Sequence, residues 1–366
     1  MSDGARFVRP SLEQLPPSEP VAPPAATDAS LGLNEGLFGP FPSALAAITG
    51  GVPGLNRYPG RGSDTLVAAL ATRHDLERAQ VIVTAGADAG IGYVCQAVVD
   101  PDDEVVIPWP SFPSFVRDTQ KRGARPIIVP LRRWEVDLGA MLKSITDRTR
   151  LVFIATPNNP TGLETPRDAL VAFVRELPDS VLPVIDEAYF DYLDPSSRLD
   201  SIAEIVRAGR DAVVLRTFSK LYGLAGLRVG YAVGPAAVIA AMRKVQRGYD
   251  VGSLAQAAAL ASLGDAAEVD RRRAANRLAV EALVEVLRAH GLEPLEGTAT
   301  NFVLVDVGAS AGRLADELLA RHVAVQAGGP FGAPTALRIG AGSAADIRAL
   351  DAALDGALRG APDAGR

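Results

Sequence analysis

Cysteine, histidine and lysine are scarce in this chain of 366 residues, which holds one, three and four of them. A single cysteine forbids an intrachain disulfide, and Cys95, set in Ile91-Gly-Tyr-Val-Cys95, reads as a small buried hydrophobe. His74, His290 and His322 are scattered, read as solvated or helix-end residues, and lack metal-type spacing. No metal is therefore expected, and zinc hydrolysis or a His-centred triad has little to work with. No uncharged apolar run approaches the roughly 20 residues that cross a bilayer. The opening Met-Ser-Asp-Gly-Ala-Arg lacks a charged segment followed by an apolar one, so the expected compartment is the cytoplasm. A formal net charge of −6 argues against nucleic acid or an anionic membrane as partner.

The lysines themselves are informative. Only Lys121, Lys143, Lys220 and Lys244 occur, and the other 33 basic residues are arginines. Arginine serves a solvated surface as well as lysine does, so a lysine kept inside an apolar, glycine-rich stretch points to chemistry a guanidinium cannot perform. Lys220 is that residue; the other three read as solvated.

A chain of this length stretches a single core, so one large and one smaller domain are expected. Residues 1 to about 30, with five prolines between Pro16 and Pro24, read as an extended or disordered arm. A helical pattern begins behind a Ser63/Asp64 cap. Seven strand-like runs follow: Val81–Thr84, Glu104–Pro108, Ala124–Pro130, Arg150–Thr156, Leu182–Glu187, Ala212–Thr217 and Arg228–Gly234. Helical patterns over 87–99, 112–122, 137–146, 166–176 and 199–208 separate them, as a mostly parallel sheet covered on both faces requires. Beyond residue 250 come a long amphipathic helix (266–290) stopped by Gly291, a strand (Asn301–Val307), a helix (313–322), two short strands (Val323–Gln326, Ala336–Gly340) and a last helix near 345–358. The fold class is thus α/β, a seven-stranded sheet between helices, with a smaller α+β domain. The expected division is an arm over 1–43 joining the small domain, a large domain over 44–250 and a small one over 251–366.

Four stretches place polar residues just past the carboxyl end of a strand, the edge where open α/β sheets bind ligands. Thr84-Ala-Gly-Ala87-Asp88-Ala-Gly90 turns into a helix whose first N–H groups attract a phosphate, unless it is merely a tight connection. Thr156-Pro-Asn-Asn159-Pro-Thr-Gly162 is a stiff loop that either turns the chain or holds Asn159 as a hydrogen-bonding group. In Val184-Ile-Asp186-Glu-Ala-Tyr189 a carboxylate ends a buried run, where a protonated heterocyclic nitrogen would satisfy it, a helix cap being the bland alternative. Finally, Arg216-Thr217-Phe-Ser219-Lys220 runs on to Arg228 through glycines. A desolvated Lys220 can attack a carbonyl, and Thr217, Ser219 and Arg228 can hold a phosphate dianion. Together these suit a phosphorylated aldehyde with a ring nitrogen, pyridoxal 5′-phosphate.

In Asn-Asn-Pro-Thr-Gly, Asp-Glu-Ala-Tyr and Ser-Lys-x-x-Gly-Leu-Ala-Gly-Leu-Arg, in this order and spacing, the chain from about Leu31 to Ile339 resembles the fold-type I, class I/II pyridoxal-phosphate aminotransferases, and most of all the histidinol-phosphate aminotransferase family. The resemblance implies the aspartate aminotransferase-like fold and transfer of an amino group between a small amino donor and a 2-oxo acid such as 2-oxoglutarate. It makes Lys220 the lysine that bonds the cofactor and moves the Cα proton, Asp186 the partner of the ring nitrogen, and Asn159 and Tyr189 the partners of the phenolic oxygen. Phe112, in Trp109-Pro-Ser-Phe112, would stack on the ring. Phosphate would fall to Ala87, Asp88, Thr217, Ser219 and Arg228, with Tyr58 of Asn56-Arg-Tyr58-Pro59 reaching in from a neighbouring subunit, which implies a homodimer with shared active sites. Arg338 matches the arginine that clamps a substrate carboxylate, with Asn34 and Asn159 on the substrate side.

The family's Asn-Glu-Asn-Pro-x-Gly-Pro appears here as Asn34-Glu-Gly-Leu-Phe-Gly-Pro40, and its Pro-Phe-Asn-Val-Asn-Ser as Gly248-Tyr-Asp250-Val-Gly-Ser253. Both segments line the substrate side in the family, and Asp250 would repel a substrate phosphate if it faced one. The donor therefore stays open between histidinol phosphate, an aromatic amino acid and one from specialised metabolism. A decarboxylase of an amino-acid phosphate keeps the same motifs and is the alternative reaction. A sensor domain of a transcription regulator is the non-enzyme alternative, and the short arm is too small for its helix-turn-helix.

Overall fold

The structure, a computed structural model, describes residues 7–13, 15 and 27–359; the proline-rich stretch Pro16–Pro24 lies outside them. Its strands in chain order are β1 (Ala29–Ser30), β2 (Val81–Thr84), β3 (Glu104–Trp109), β4 (Arg125–Pro130), β5 (Thr149–Ala155), β6 (Leu182–Asp186), β7 (Val213–Thr217), β8 (Gly230–Val233), β9 (Phe302–Asp306), β10 (Val323–Ala324), β11 (Gln326–Ala327) and β12 (Ala336–Gly340). All seven central runs read from the sequence join one sheet in the order β2-β8-β7-β6-β5-β3-β4, where β8 alone runs against the others. Their side chains alternate between two apolar layers: Val152, Ile154, Ile185 and Val214 enter one, and Leu151, Phe153, Val184, Val213 and Leu215 the other. Burial on both faces is why these strands read as continuous apolar runs rather than alternating ones.

A second, antiparallel sheet, β11-β12-β9, shares a separate core with the helices Ala266–Ala289, Ala311–Leu319 and Ala344–Arg359. The segment after residue 27 joins that core, because Ala29 and Leu31 are buried in it and β1 pairs in parallel with β10. The chain then crosses to the large sheet, whose cluster takes in Phe41 and Ala44. Among the described residues no helix is long and apolar enough to cross a membrane.

Several local expectations change. The helices Pro42–Gly51 and Ser253–Leu263, which pack on each other, carry no periodic signal because alanine and other small residues lie all round them. The second of them, placed by sequence in the small domain, sends Ala255, Ala258 and Ala259 into the large sheet's core. Residues 199–208 form one wide turn, Ile202–Val206, closed from the Arg207 N–H to the Ile202 carbonyl, rather than an α-helix. Ser63 makes no side-chain cap and takes a left-handed backbone. His74 is buried, not solvated: it shares a 3.0 Å hydrogen bond with the Tyr231 hydroxyl, while burial and the Arg216 cation push its pKa down to about 3. It serves as a neutral core partner.

Candidate active site

A cavity of about 280 Å³ opens at the carboxyl ends of β5, β6 and β7. It is lined by Asn34, Ala87, Asp88, Phe112, Asn159, Asp186, Tyr189, Thr217, Ser219, Lys220, Arg228 and Arg338, which are the residues singled out from sequence except Tyr58 and Asp250. Tyr58 is 83% exposed and stacks on Tyr249 outside the cavity.

One group of residues forms an anion cradle. Gly86 (φ +85°) leads into the helix Ala87–Val98, and a side chain there would lie 2.8 Å from the Arg228 guanidinium, so glycine is what lets the two approach. The first N–H groups of that helix have no intrahelical partner and carry the positive end of its dipole. Thr217 Oγ1 donates to Ser219 Oγ at 3.0 Å, and Arg228 reaches the same Oγ at 3.4 Å. The Asp88 carboxylate, which would repel an anion, is occupied by Ser114 Oγ at 2.5 Å.

Asp186 ends β6, 95% buried, and among the described residues its carboxylate accepts only the Ala188 N–H, at 3.0 Å. Burial pushes its pKa up to about 7. A carboxylate so placed calls for a cation, which a protonated ring nitrogen provides. Phe112 faces the cavity with its ring set edge-on to Phe115, itself stacked on Phe153 of β5. Burial lowers the pKa of Lys220 to about 8, the Arg338 cation adding to the effect. Its Nζ donates to the carbonyls of Asn34 (3.0 Å) and Leu33 (3.3 Å). Such an amine is partly neutral near neutral pH and can attack an aldehyde.

The remaining wall comes from distant segments. Arg338 on β12 donates to Asn159 Oδ1 at 2.8 Å and to the Gly32 carbonyl at 2.5 Å, with the rings of Phe331 and Phe302 at 4.5 and 5.7 Å. Its Nε is buried without a partner, as is Asn34 Oδ1. Asn34 Nδ2 donates to the Tyr189 hydroxyl at 3.0 Å. Leu33, Gln326 and Phe331 also line the cavity, and nothing in their local sequence signals it. Asn158, which the sequence does not distinguish from Asn159, joins the two loops: its Oδ1 accepts from Ser111 Oγ (2.8 Å) and its Nδ2 donates to the Pro110 carbonyl (3.1 Å). Asp250, expected on the substrate side, is instead turned onto Tyr93, whose hydroxyl it accepts at 2.5 Å, and does not line the cavity.

An anion cradle, an underpartnered buried carboxylate, an aromatic face and a desolvated lysine around one cavity fit pyridoxal 5′-phosphate group by group. The aminotransferase class I and II family model matches residues 27–355, and the chain belongs to that family. Its chemistry is pyridoxal-phosphate-dependent transfer of an amino group. The chain is 42% identical over 331 residues to an aromatic amino acid aminotransferase of Mycobacterium tuberculosis (89% of this chain, 91% of that one). It is 38% identical over 314 residues to the histidinol-phosphate aminotransferase of Moorella thermoacetica (86% and 81%). The crystal structure of histidinol-phosphate aminotransferase from Sinorhizobium meliloti in complex with pyridoxal 5′-phosphate superposes with a TM-score of 0.89 at 30% identity, covering 96% of this chain and 97% of that one.

Proposed function

We propose that this aminotransferase takes an aromatic amino acid as donor and a 2-oxo acid such as 2-oxoglutarate as acceptor. Bound pyridoxal phosphate supplies an aldehyde that carries the amino group and a ring that accepts electron density. Lys220 would hold the aldehyde carbon and, as a free amine, would take the proton from the donor's Cα and, in the second half of the cycle, deliver one to the Cα of the acceptor. Asp186 keeps the ring nitrogen protonated, Phe112 packs on the ring, and Asn159 and Tyr189 hold the phenolic oxygen. The Ala87 and Asp88 N–H groups, Thr217, Ser219 and Arg228 hold the phosphate. The substrate carboxylate falls to Arg338, with Asn34 and Asn159 beside it.

The observation that carries the donor assignment is the way the cavity's cations are spent. Arg228 lies in the anion cradle and Lys220 serves the aldehyde, which leaves Arg338 among the described lining residues to meet the substrate. One guanidinium flanked by Phe331, with Leu33 and Gln326 near it, suits a single carboxylate and a flat apolar side chain better than a phosphate dianion, which draws on several donors. The M. tuberculosis relative points the same way. The test compares kcat/KM for phenylalanine and histidinol phosphate with 2-oxoglutarate as acceptor. Phenylalanine should lead by at least about tenfold, 1.4 kcal/mol of discrimination; the reverse order overturns the assignment.

The same reading makes the enzyme a cytoplasmic homodimer with shared active sites. Exposed Leu45, Val52, Leu55 and Leu260, on or beside the helices Pro42–Gly51 and Ser253–Leu263, support an apolar contact between copies, and Tyr58, exposed beside Tyr249, would serve a neighbour's phosphate. The single buried Cys95, needing no disulfide, suits a reducing compartment. Light scattering of the purified protein checks the dimer, a monomer at micromolar concentration overturning it.

A further inference from the structure

Directly behind the cavity, on the opposite face of the large sheet, lies a buried charged cluster that the reaction does not touch. Glu187 and Arg216 each adjoin a cavity residue, Asp186 and Thr217, and successive strand residues point to opposite faces. The backbone ladder between β6 and β7 ends at Asp186 and Leu215, with one more bond from the Glu187 N–H to the Leu215 carbonyl. Beyond it the side chains continue the connection. Arg216 Nε donates to Glu187 Oε2 at 2.8 Å and Nη2 lies 2.7 Å from the same oxygen, with the two side chains 6% and 1% exposed. Arg216 Nη2 also donates to Asp200 Oδ1 at 2.8 Å, and its guanidinium sits 3.5 Å from the centre of the Phe190 ring. Glu187 Oε1 in turn accepts the Ser201 N–H. Across β8 the direct partner of Arg216 is Tyr231, bonded to His74.

We propose that Arg216 is a positioning residue for the cofactor: its clamp on Glu187 and Asp200 fixes the ends of β6 and β7 against each other, so that Asp186 and Thr217 face the ring nitrogen and the phosphate at a set separation. The need is specific to this site, since the two residues would serve two groups of one bound molecule, and loosening either strand end changes the spacing between those contacts. A buried ion pair is a poor source of net stability, because desolvation offsets most of its attraction. Its geometry, a planar fork stacked on a ring, is one that lysine cannot reproduce.

The inference rests on the assignment of Asp186 and Thr217 to the cofactor, and the experiment separates the two. Holoenzyme carrying Arg216→Lys keeps the charge and loses the fork; the double variant Arg216→Met/Glu187→Leu removes the two enclosed charges and leaves only Asp200, whose side chain is 36% exposed, to be met by water. Pyridoxal phosphate retention is measured by equilibrium dialysis, and kcat and KM are measured with phenylalanine. The expected result for both variants is thermal melting close to wild type, roughly tenfold weaker cofactor retention, lowered kcat and unchanged KM, because Arg338 is untouched. Wild-type retention and kcat in Arg216→Lys, beside an Asp186→Ala control that has lost activity, overturn the positioning role alone. Wild-type kcat in Asp186→Ala overturns the site assignment beneath it.

Discussion

The two sides of the cavity are built in opposite ways. On the cofactor side most residues stand at or just past the end of the strand that aims them: Thr84 leads to Ala87 and Asp88, Asp186 ends β6, Thr217 ends β7, and Ser219 and Lys220 follow it. On the substrate side Arg338 is held by Gly32 and Asn159, partners 306 and 179 positions away. Lys220 joins the sides by donating to Leu33 and Asn34, nearly 190 positions away. A side made of strand ends is fixed once the sheet forms, whereas one assembled from remote segments shifts with any of them. On the proposed assignment, chemistry sits on the rigid side and substrate choice on the adjustable one.

The largest expected effect comes from the residue shared by both sides. Lys220→Ala should lower kcat by about 10⁴-fold, with loss of the visible absorption that the lysine–cofactor linkage produces. Single-turnover absorbance checks it. Asp186→Ala should come next, at about 10²–10³-fold in kcat, since a preorganised charge facing the ring is lost.

Asp186 also carries a stability signature that substrate-side residues lack. Its folded pKa, about 7, stands above the ordinary carboxylate value, so between about pH 4 and 7 the folded apoenzyme holds a proton that the unfolded chain has released. Stability from this group is therefore complete below pH 4 and declines as pH rises to 7. Asp186→Asn should remove that decline, making the cofactor-free variant more stable than wild type at pH 7, by on the order of 3 kcal/mol. Urea unfolding at pH 5 and pH 7.5 checks it; equal differences at the two pH values contradict it.

The contrast between the sides also explains what could be read from sequence. Lys220 and Asp186 stand in short segments directly after apolar strands, where their cost is visible because burial there is predictable. Arg338 came only through likeness to a family, since one arginine among 33 looks like any other until β12 is laid beside β9. Phe331, Gln326 and Leu33 enter the cavity through tertiary packing, and no local pattern records that. Asp250 misled because neighbourhood along the chain stood in for direction, and its carboxylate found the Tyr93 hydroxyl instead. Fold reading failed in the same way where periodicity was absent, as in the alanine-rich pair Pro42–Gly51 and Ser253–Leu263.

Arg338→Lys should sharpen the division. It loses the planar fork while keeping the charge, at a cost of about 1.5–3 kcal/mol, so KM for phenylalanine should rise about 10- to 100-fold. Cofactor retention should stay within about twofold of wild type, because none of the cradle's donors has moved. A variant that sheds pyridoxal phosphate as readily as it loses substrate shows that the two sides are one unit.

The smallest effect is expected at Asp250, and its smallness is the point. If a carboxylate at this position set the donor, Asp250→Asn would ease the entry of histidinol phosphate by removing a repulsion felt across the cavity. The side chain is instead nearly enclosed, its Oδ2 accepts the Tyr93 hydroxyl and the exposed Arg247 lies 3.6 Å from Oδ1. Asparagine offers the same hydroxyl an acceptor of the same size. The ratio of kcat/KM for phenylalanine to that for histidinol phosphate should therefore stay within about twofold of wild type, the range of a substitution that leaves packing and hydrogen bonding in place. A shift of tenfold or more toward the phosphorylated donor would bring the segment 248–253 into the substrate side after all, and would place part of the donor choice outside the reach of Arg338 and Phe331.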